Sequence, residues 1–311
     1  MISKYTFIVN PEAGRGAVRS LLPKIQRLLK HNRLSFEILE TGGPEHATVL
    51  AQGITDPETL VIAVGGDGTT HEVAAGMLES KSTLSVLPVG SGNDFARLLG
   101  FGRDLAKNIE SLITGRDYRM DVGEYRIESS SGNSFAGIFV NSLGIGIDAT
   151  ISYNSRKIRS LKGIPLYLVA TLRTLKTFAP ISVNFESDSD RFEGKVFLVC
   201  LGNGPYEGGG FMLTPGAKPD DGKLEVCIIR SMPVWNAVRL IPKIISGRHA
   251  GERKIHILRA ERVRLTSPTP FYVHCDGEIP TDAARSINIK ILPKKLKVRA
   301  ASGHFFTAAP L

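Results

Sequence analysis

The stretch from Leu60 to Val73, LVIAVGGDGTTHEV, constrains the fold more than any other part of the chain. Leu60–Val64 is a short apolar, β-branched run of the kind that forms a buried strand. It ends at Gly65-Gly66-Asp67-Gly68-Thr69, where three glycines permit a tight turn and bring bare backbone close to a ligand. From Thr69 to Leu78 the spacing of Val73 and Met77 predicts a helix. Strand, glycine turn and helix N-terminus in that order aim free amides and the positive end of a helix dipole at one point, which suits phosphate. Asp67 is the discordant residue. Its carboxylate repels phosphate unless a divalent cation or its water shell lies between, so the turn reads as a site for nucleotide polyphosphate and metal together. The competing reading is a plain glycine turn with Asp67 as a helix cap.

Around this turn, strand and helix signals alternate. Thr6–Asn10, Ser35–Glu40, Leu60–Val64 and Leu84–Val89 read as strands, and Ala17–Lys30 and Pro44–Gln52 read as helices. Such alternation implies βαβ units and a parallel sheet, whose ligands gather at the carboxyl ends of the strands. Asn10–Gly16, Thr41–Gly43, Gly65–Thr69 and Gly90–Asp94 all fall at those ends. Beyond about Tyr118 strand signals dominate: Met120–Ile127, Phe135–Asn141, Ile181–Phe185, Lys195–Leu201, Leu224–Ile229, Ile255–Leu265, Phe271–Cys275 and Ile287–Leu292. Two helical inserts interrupt them, near Ile164–Phe178 and Val234–Ile245. The expected architecture is an α/β parallel-sheet nucleotide-binding domain over residues 1–121, then a mainly antiparallel, all-β sandwich over 122–301. The segment 302–311 is too short to stand alone and is expected to pack back on the first domain.

At 311 residues, two domains can each bury a core. The opening MISKYTFIVNPEAG lacks the features of a secretory leader, and no apolar run reaches the length of a membrane span. Cys200, Cys227 and Cys275 lie scattered in apolar runs and read as buried free thiols of a reducing, cytoplasmic compartment. The net charge of +9 is unevenly placed. Arg156, Lys157, Arg159, Lys162, Arg173 and Lys176 occur between Ile151 and Pro180 without an acid, and the stretch from Arg285 onward also lacks acids. Basic surface favours an anionic partner: nucleotide, membrane or nucleic acid. Aromatics make up only 7% and are not interleaved with the bases, so nucleic acid is not expected. His46, His249, His256, His274 and His304 show no metal-ligand spacing and read as surface or packed residues.

Four segments together resemble the diacylglycerol-kinase-type lipid kinases, which include sphingosine and ceramide kinases and soluble bacterial members. They are Asn10-Pro11-Glu12-Ala13-Gly14-Arg15-Gly16, Gly65–Thr69, Pro88-Val89-Gly90-Ser91-Gly92-Asn93-Asp94-Phe95-Ala96-Arg97, and Cys275-Asp276-Gly277-Glu278. The resemblance implies a two-domain enzyme with ATP and Mg²⁺ held between its domains. Asn10, Gly14 and Thr41 would lie at the nucleotide, with Ser91 and Asn93 on the fourth loop. Gly65, Gly66, Asp67, Gly68, Thr69, Thr70 and His71 would hold phosphates. Asp67, Asp94 and Asp121 would form the carboxylate network of the catalytic Mg²⁺, directly or through water. Asp276 and Glu278 would activate the acceptor, with Glu278 favoured as base. A further structural Mg²⁺ site falls on Asp221, which would give its side chain, with Lys218 and Lys223 giving backbone carbonyls. The turn Asp220-Asp221-Gly222 is also a good hairpin signal in its own right. His71 departs from the family, many of whose members have Asn there.

The chemistry is intelligible from the residues. Phosphoryl transfer needs positioned phosphates, neutralised charge and an aligned, deprotonated acceptor hydroxyl. Asp276 and Glu278 stand two apart at a strand end, so regular β geometry would turn both to one face. The two inserts, one with Arg173 and Lys176 and one with Trp235, Arg239 and Lys243, mix apolar and basic residues. They are candidates for contact with anionic lipid headgroups, against the simpler role of covering the β domain. The expected activity is ATP- and Mg²⁺-dependent phosphorylation of a lipid hydroxyl, diacylglycerol first, by a cytoplasmic protein that visits the membrane. A homodimer is left open. The rivals are a kinase for another lipid (sphingoid base, ceramide or phosphatidylglycerol), an NAD kinase-like or phosphofructokinase-like enzyme with a soluble acceptor, and a non-catalytic nucleotide or lipid sensor.

Overall fold

β1 (Lys4–Val9), β2 (Phe36–Glu40), β3 (Thr59–Gly65) and β4 (Thr83–Pro88) pair in parallel in the order 2-1-3-4. The computed structural model to which they belong describes residues 2–155, 161, 163–304 and 306. Phe7, Ile8, Leu60, Ile62, Val64 and Leu84 are fully buried. A sheet covered on both faces explains why these strands are near-continuous apolar runs with no alternation. The helices between and after them are α1 (Ala17–His31), α2 (His46–Gln52), α3 (Asp67–Gly76), α4 (Asp94–Leu98) and α5 (Leu105–Thr114). Strand order reverses at β1, with β2 on one side and β3 on the other. The loops after β1 and β3 therefore open at the place where α/β sheets take their ligands.

The chain divides into two compact units, Met1–Asp121 with Lys294–Leu311, and Val122–Pro293. β5 (Arg116–Ser129) carries the chain from the first unit into the second, where β6 (Ser134–Phe139) pairs with it antiparallel. β7 (Ser142–Gly146), α6 (Ile147–Ser155), α7 (Gly163–Leu175), β8 (Ile181–Ser187), β9 (Arg191–Gly202), β10 (Leu224–Arg230), α8 (Val234–Ile245), β11 (Ile255–Ala260) and β12 (Arg262–Cys275) follow. β7 and α6 had no expectation from the sequence, and the run Ile255–Leu265, read as one strand, breaks at Glu261 into β11 and β12. The basic run at 156–162 lies outside the described residues except for Leu161.

β9 and β12 are long enough to pair with β8 along one half and with β7 along the other. Their passage from one layer to the other closes an antiparallel core around Val199, Leu201, Val226, Leu265, Phe271 and Val273. The alternate residues Leu198, Cys200, Cys227 and Ile229 face a second cluster, roofed by Ala170 and Leu175 of α7 and by Leu240 and Ile241 of α8. Both helical inserts therefore cover the sheet. All three cysteines are buried and free.

The last strand, β13 (Glu278–Ala300), pairs with β12 and then returns to the first unit, where Val298 stands beside Leu84 in parallel. The return comes at Lys294, earlier than the expected 302. Leu296, Val298 and Ala300 are buried and alternate with Lys295, Lys297 and Arg299, so what reads as a basic tail is a strand with one apolar face. Its bases serve the chain's own acids. Lys295 pairs with Glu79 at 2.5 Å, Arg299 with Asp117 at 2.6 Å and Lys290 with Glu124 at 2.8 Å. Beyond the strand, Phe306 stacks on Tyr118 with ring centroids 4.8 Å apart. Phe305 and 307–311 lie outside the described residues.

Candidate active site

In the first unit, three loops are drawn together at the carboxyl ends of β1, β3 and β4. Asn10 Nδ2 donates to Thr69 Oγ1 at 3.1 Å, tying the loop after β1 to the first turn of α3. Gly14 takes a left-handed φ of +63°, and a Cβ on it would lie 2.5 Å from the Val89 carbonyl oxygen. Gly66 and Gly90 approach so closely that a Cβ on Gly90 would sit 2.5 Å from the Gly66 Cα. Only glycine fits such backbone-to-backbone contact. Thr41 continues the ladder by donating its amide to the Val9 carbonyl at 2.8 Å, and Ser91 is exposed. His71 follows one turn into α3, half-buried.

α3 begins at Asp67, two residues before the expected start, and this places the carboxylate at the helix N-terminus. Asp67 Oδ2 accepts the Asn93 amide at 2.7 Å and Oδ1 accepts the Asp94 amide at 2.8 Å. Asp67 is thus a clamp between the glycine turn and the first turn of α4. Asn93 holds a left-handed φ of 56°, with its Oδ1 accepting the Gly90 amide at 2.9 Å and its Nδ2 donating to the Gly90 carbonyl at 2.8 Å. Asp94 is buried and pairs with Arg97. Asp121, fully buried in β5, accepts the Lys294 amide at 2.7 Å. The Asp67 and Asp94 carboxylates both flank Gly92, whereas no three-ligand group within 4.8 Å forms from Asp67, Asp94 and Asp121 among the described residues. Asp67 and Asp94 would give Mg²⁺ the one or two carboxylates it commonly takes, the rest of its shell being phosphate oxygens and water.

In the second unit, Cys275 pairs with Glu278 across a two-residue turn made of Asp276 (φ 49°) and Gly277 (φ 85°). These positive φ values define a hairpin turn of the I′ kind. Asp276 and Glu278 therefore do not share a strand face as strand alternation predicts, because Asp276 stands in the turn and outside the strand. Its carboxylate is buried and accepts three consecutive amides: Oδ2 from Val140 at 2.8 Å, and Oδ1 from Asn141 at 2.8 Å and Ser142 at 3.0 Å. Glu278, by contrast, opens β13 in an exposed position. Asp276 fixes the turn, and Glu278 is presented by it.

At the anticipated structural Mg²⁺ site, Asp221 Oδ2 pairs with Arg259 at 3.1 Å and Oδ1 accepts the Lys223 amide at 3.1 Å. Arg259 also donates to the Gly216 carbonyl at 2.6 Å. A divalent cation at Asp221 would have to share the carboxylate with a guanidinium. Lys218 and Lys223 are exposed.

A cluster that the sequence does not announce lies deeper in this unit. His274 Nε2 bridges Asp148 Oδ2 at 3.0 Å and Glu207 Oε1 at 2.5 Å, and Cys200 Sγ donates to Glu207 Oε2 at 3.1 Å. Burial, then the charge of Glu207, pushes Asp148 up to about 6. Burial would raise Glu207 too, but the charge of His274 and hydrogen bonds from His274 and Cys200 bring it below the ordinary carboxylate range. Burial opposes a charge on His274, and the two carboxylates overcome it and raise His274 well above its ordinary value. The one local signal was Gly144 in the run Leu143-Gly144-Ile145-Gly146-Ile147-Asp148. A Cβ there would lie 2.2 Å from both Asp148 Oδ2 and His274 Nε2.

Asp148, Glu207 and Thr171 are the polar residues of a mostly apolar cavity of about 100 Å³. Ile151 of α6, Tyr167 and Leu175 of α7, Phe211, and Leu240 and Ile244 of α8 supply much of the wall. Apolar walls with few polar groups are the usual make-up of a site for a small organic ligand.

Glycine loops at the ends of a parallel sheet, followed along the chain by an antiparallel unit with an apolar cavity, are found again in known kinases. Residues 4–125 match the diacylglycerol kinase catalytic domain, and residues 141–300 match the YegS C-terminal NAD kinase beta sandwich-like domain. The chain belongs to the diacylglycerol-kinase-type lipid kinase family and is a phosphotransferase. It is 29% identical to a diacylglycerol kinase of Bacillus subtilis (strain 168), over 87% of this chain and 88% of that protein. A Klebsiella pneumoniae (strain 342) protein named for its likeness to the lipid kinase YegS is 28% identical over 92% of this chain and 93% of its own length. A solved structure from Bacillus anthracis str. Sterne, titled as a candidate diacylglycerol kinase, superposes with a TM-score of 0.77 at 26% identity. It covers 96% of this chain and 98% of that one. Yeast NADH kinase shares the fold alone, with a TM-score of 0.53 at 11% identity over 98% of this chain and 84% of that one.

Proposed function

We propose that this kinase transfers the γ-phosphoryl group of ATP to the hydroxyl of a membrane lipid, with diacylglycerol as first candidate and phosphatidic acid as product. The observation that carries the lipid reading is the apolar cavity between α6, α7, α8 and their sheet, which suits an acyl chain and offers a soluble dinucleotide few polar partners. The donor side rests on the loops at Asn10–Gly16, Gly65–His71 and Gly90–Asp94. Their glycines leave backbone amides bare, and α3 directs its N-terminus at the same place. Mg²⁺, when bound, neutralises phosphate charge, and Asp67 and Asp94, with Asp121 acting through water, are the residues proposed to hold it.

Glu278 is the proposed base. It is exposed at the start of β13, while Asp276 beside it already accepts three amides and is committed to holding the turn. In this reading Glu278 takes the proton of the acceptor hydroxyl as that oxygen attacks the γ-phosphorus, the bond from that phosphorus to the β,γ-bridging oxygen breaks and ADP leaves, while Asp276 keeps the turn in place. No helix among the described residues is long and apolar enough to cross a membrane, so the lipid would be met at the bilayer surface. The test is incubation with labelled ATP, Mg²⁺ and vesicles of mixed lipid. Labelled phosphatidic acid is expected. A soluble acceptor phosphorylated equally well without vesicles would overturn the lipid assignment and favour an NAD kinase-like enzyme.

A further inference from the structure

Helix α8 is apolar on two opposite faces, and the fold uses one of them. Ala237, Leu240, Ile241 and Ile244 line the cavity. On the other side Val234, Trp235 and Val238 are 42%, 56% and 38% exposed, and the Arg239 guanidinium lies over the Trp235 ring, 4.1 Å from its centroid. A helix covering a core normally turns polar residues outward. Large apolar side chains grouped on its outer face mark a contact surface. Basic residues predominate along this segment: from Ser231 to Gly251 the chain has Arg239, Lys243 and Arg248 and no acid, with Lys243 paired to Glu252 just beyond. On α7, which packs into the same cluster, Leu172 is 38% exposed beside Arg173.

We propose that the outer face of α8, centred on Trp235 and Arg239, docks on an anionic bilayer surface. Val234, Trp235 and Val238 enter the interface, where an indole is at home, and Arg239 beside them meets the headgroups. The proposal rests on the lipid-acceptor reading and adds the face that meets the membrane. Because the same helix lines the cavity with its inner residues, docking by its outer residues sets the cavity about one helix diameter, ~10 Å, from the bilayer. A second copy of the chain is the weaker occupant. Two-fold pairing would set this patch against itself, base against base.

Trp235 is the chain's only tryptophan, so its fluorescence reports on this face directly. With vesicles of phosphatidylcholine and phosphatidylglycerol, the emission is expected to shift to the blue and to be quenched by bromine-labelled acyl chains. Phosphatidylcholine alone should produce a much smaller shift. Val238→Asp and Arg239→Glu should each weaken sedimentation with anionic vesicles at least tenfold, while activity toward diacylglycerol dispersed in detergent stays unchanged. Unshifted emission from protein that sediments with vesicles would overturn the proposal, since another face would then be bound. A blue shift that tracks protein concentration without vesicles would also overturn it, in favour of contact between copies. Failure of the lipid-kinase reading looks different: Trp235 enters the bilayer, yet no lipid is phosphorylated.

Discussion

Asp67 in the first unit and Asp276 in the second perform the same local task in different surroundings. Each carboxylate gathers the amides of a neighbouring loop, those of Asn93 and Asp94 in one case and of Val140, Asn141 and Ser142 in the other. Asp67 does so from a half-exposed helix start between glycines, with Asp94 close by. Asp276 does so from a buried turn. A carboxylate in a motif can organise a site and also serve its chemistry only where ligand can still reach it. On that ground Asp67 is proposed to keep a role toward metal, and Glu278 is proposed to hold the chemical role that Asp276 lacks.

Glu278→Gln should have the largest effect. Loss of a general base typically costs about 10²–10⁴-fold, so turnover should fall by that order while the thermal midpoint stays put. Normal turnover would show that the turn presents the wrong residue. His274→Gln, below the turn, should instead strike stability. It leaves Asp148 and Glu207 together without their cation, a change of about 3–5 kcal/mol for a buried pair, and Glu207→Gln in the same chain should restore part of the loss.

The pH dependence follows from the same cluster. The folded-state value of His274 is raised, so its contribution is full below about pH 6.5 and is lost as pH climbs toward that raised value. Denaturant titrations from pH 6 to 9 (a range of about 3 units) should show wild type losing stability that His274→Gln does not lose.

Asp67→Ala and Asp276→Ala form the direct test of the pairing. Each should lower stability by about 1–3 kcal/mol, because buried amides lose their acceptor. Only Asp67→Ala should also abolish the Mg²⁺ dependence of nucleotide binding, measured by calorimetry with and without the metal. Equal metal dependence in both variants would erase the distinction drawn between them. The smallest effect belongs to Asp221→Ala. An ion pair with a partly exposed Arg259 is worth about 0–1 kcal/mol, and stability should not respond to added Mg²⁺. A marked Mg²⁺-dependent shift in the wild-type melting curve, absent in the variant, would restore the structural metal site.

Much of the fold was legible because local pattern and tertiary environment agree. The apolar runs of β1, β3 and β4 and the glycine turns after them follow from burial on both faces and from close backbone approach, and both leave marks within a few residues. α8 begins and ends where the apolar spacing from Val234 to Ile245 places it. The alternation Leu296, Val298, Ala300 was equally local, yet its lysines and arginine suggested a basic tail. Their partners Glu79 and Asp117 stand about two hundred residues away in the sequence.

From the sequence alone came the glycine turns at the ends of a parallel sheet, an antiparallel second unit and the family to which both belong. Spacing along the chain is enough to encode a turn, a strand or a helix face. Tertiary structure alone decided what the carboxylates do. Hydrogen bonds to Val140–Ser142 turned Asp276 into a clamp, Arg259 claimed Asp221, and His274 came to lie between Asp148 and Glu207 beside an apolar cavity. A side chain's role is set by the partners that packing brings within about 3 Å, and those partners come from distant parts of the chain.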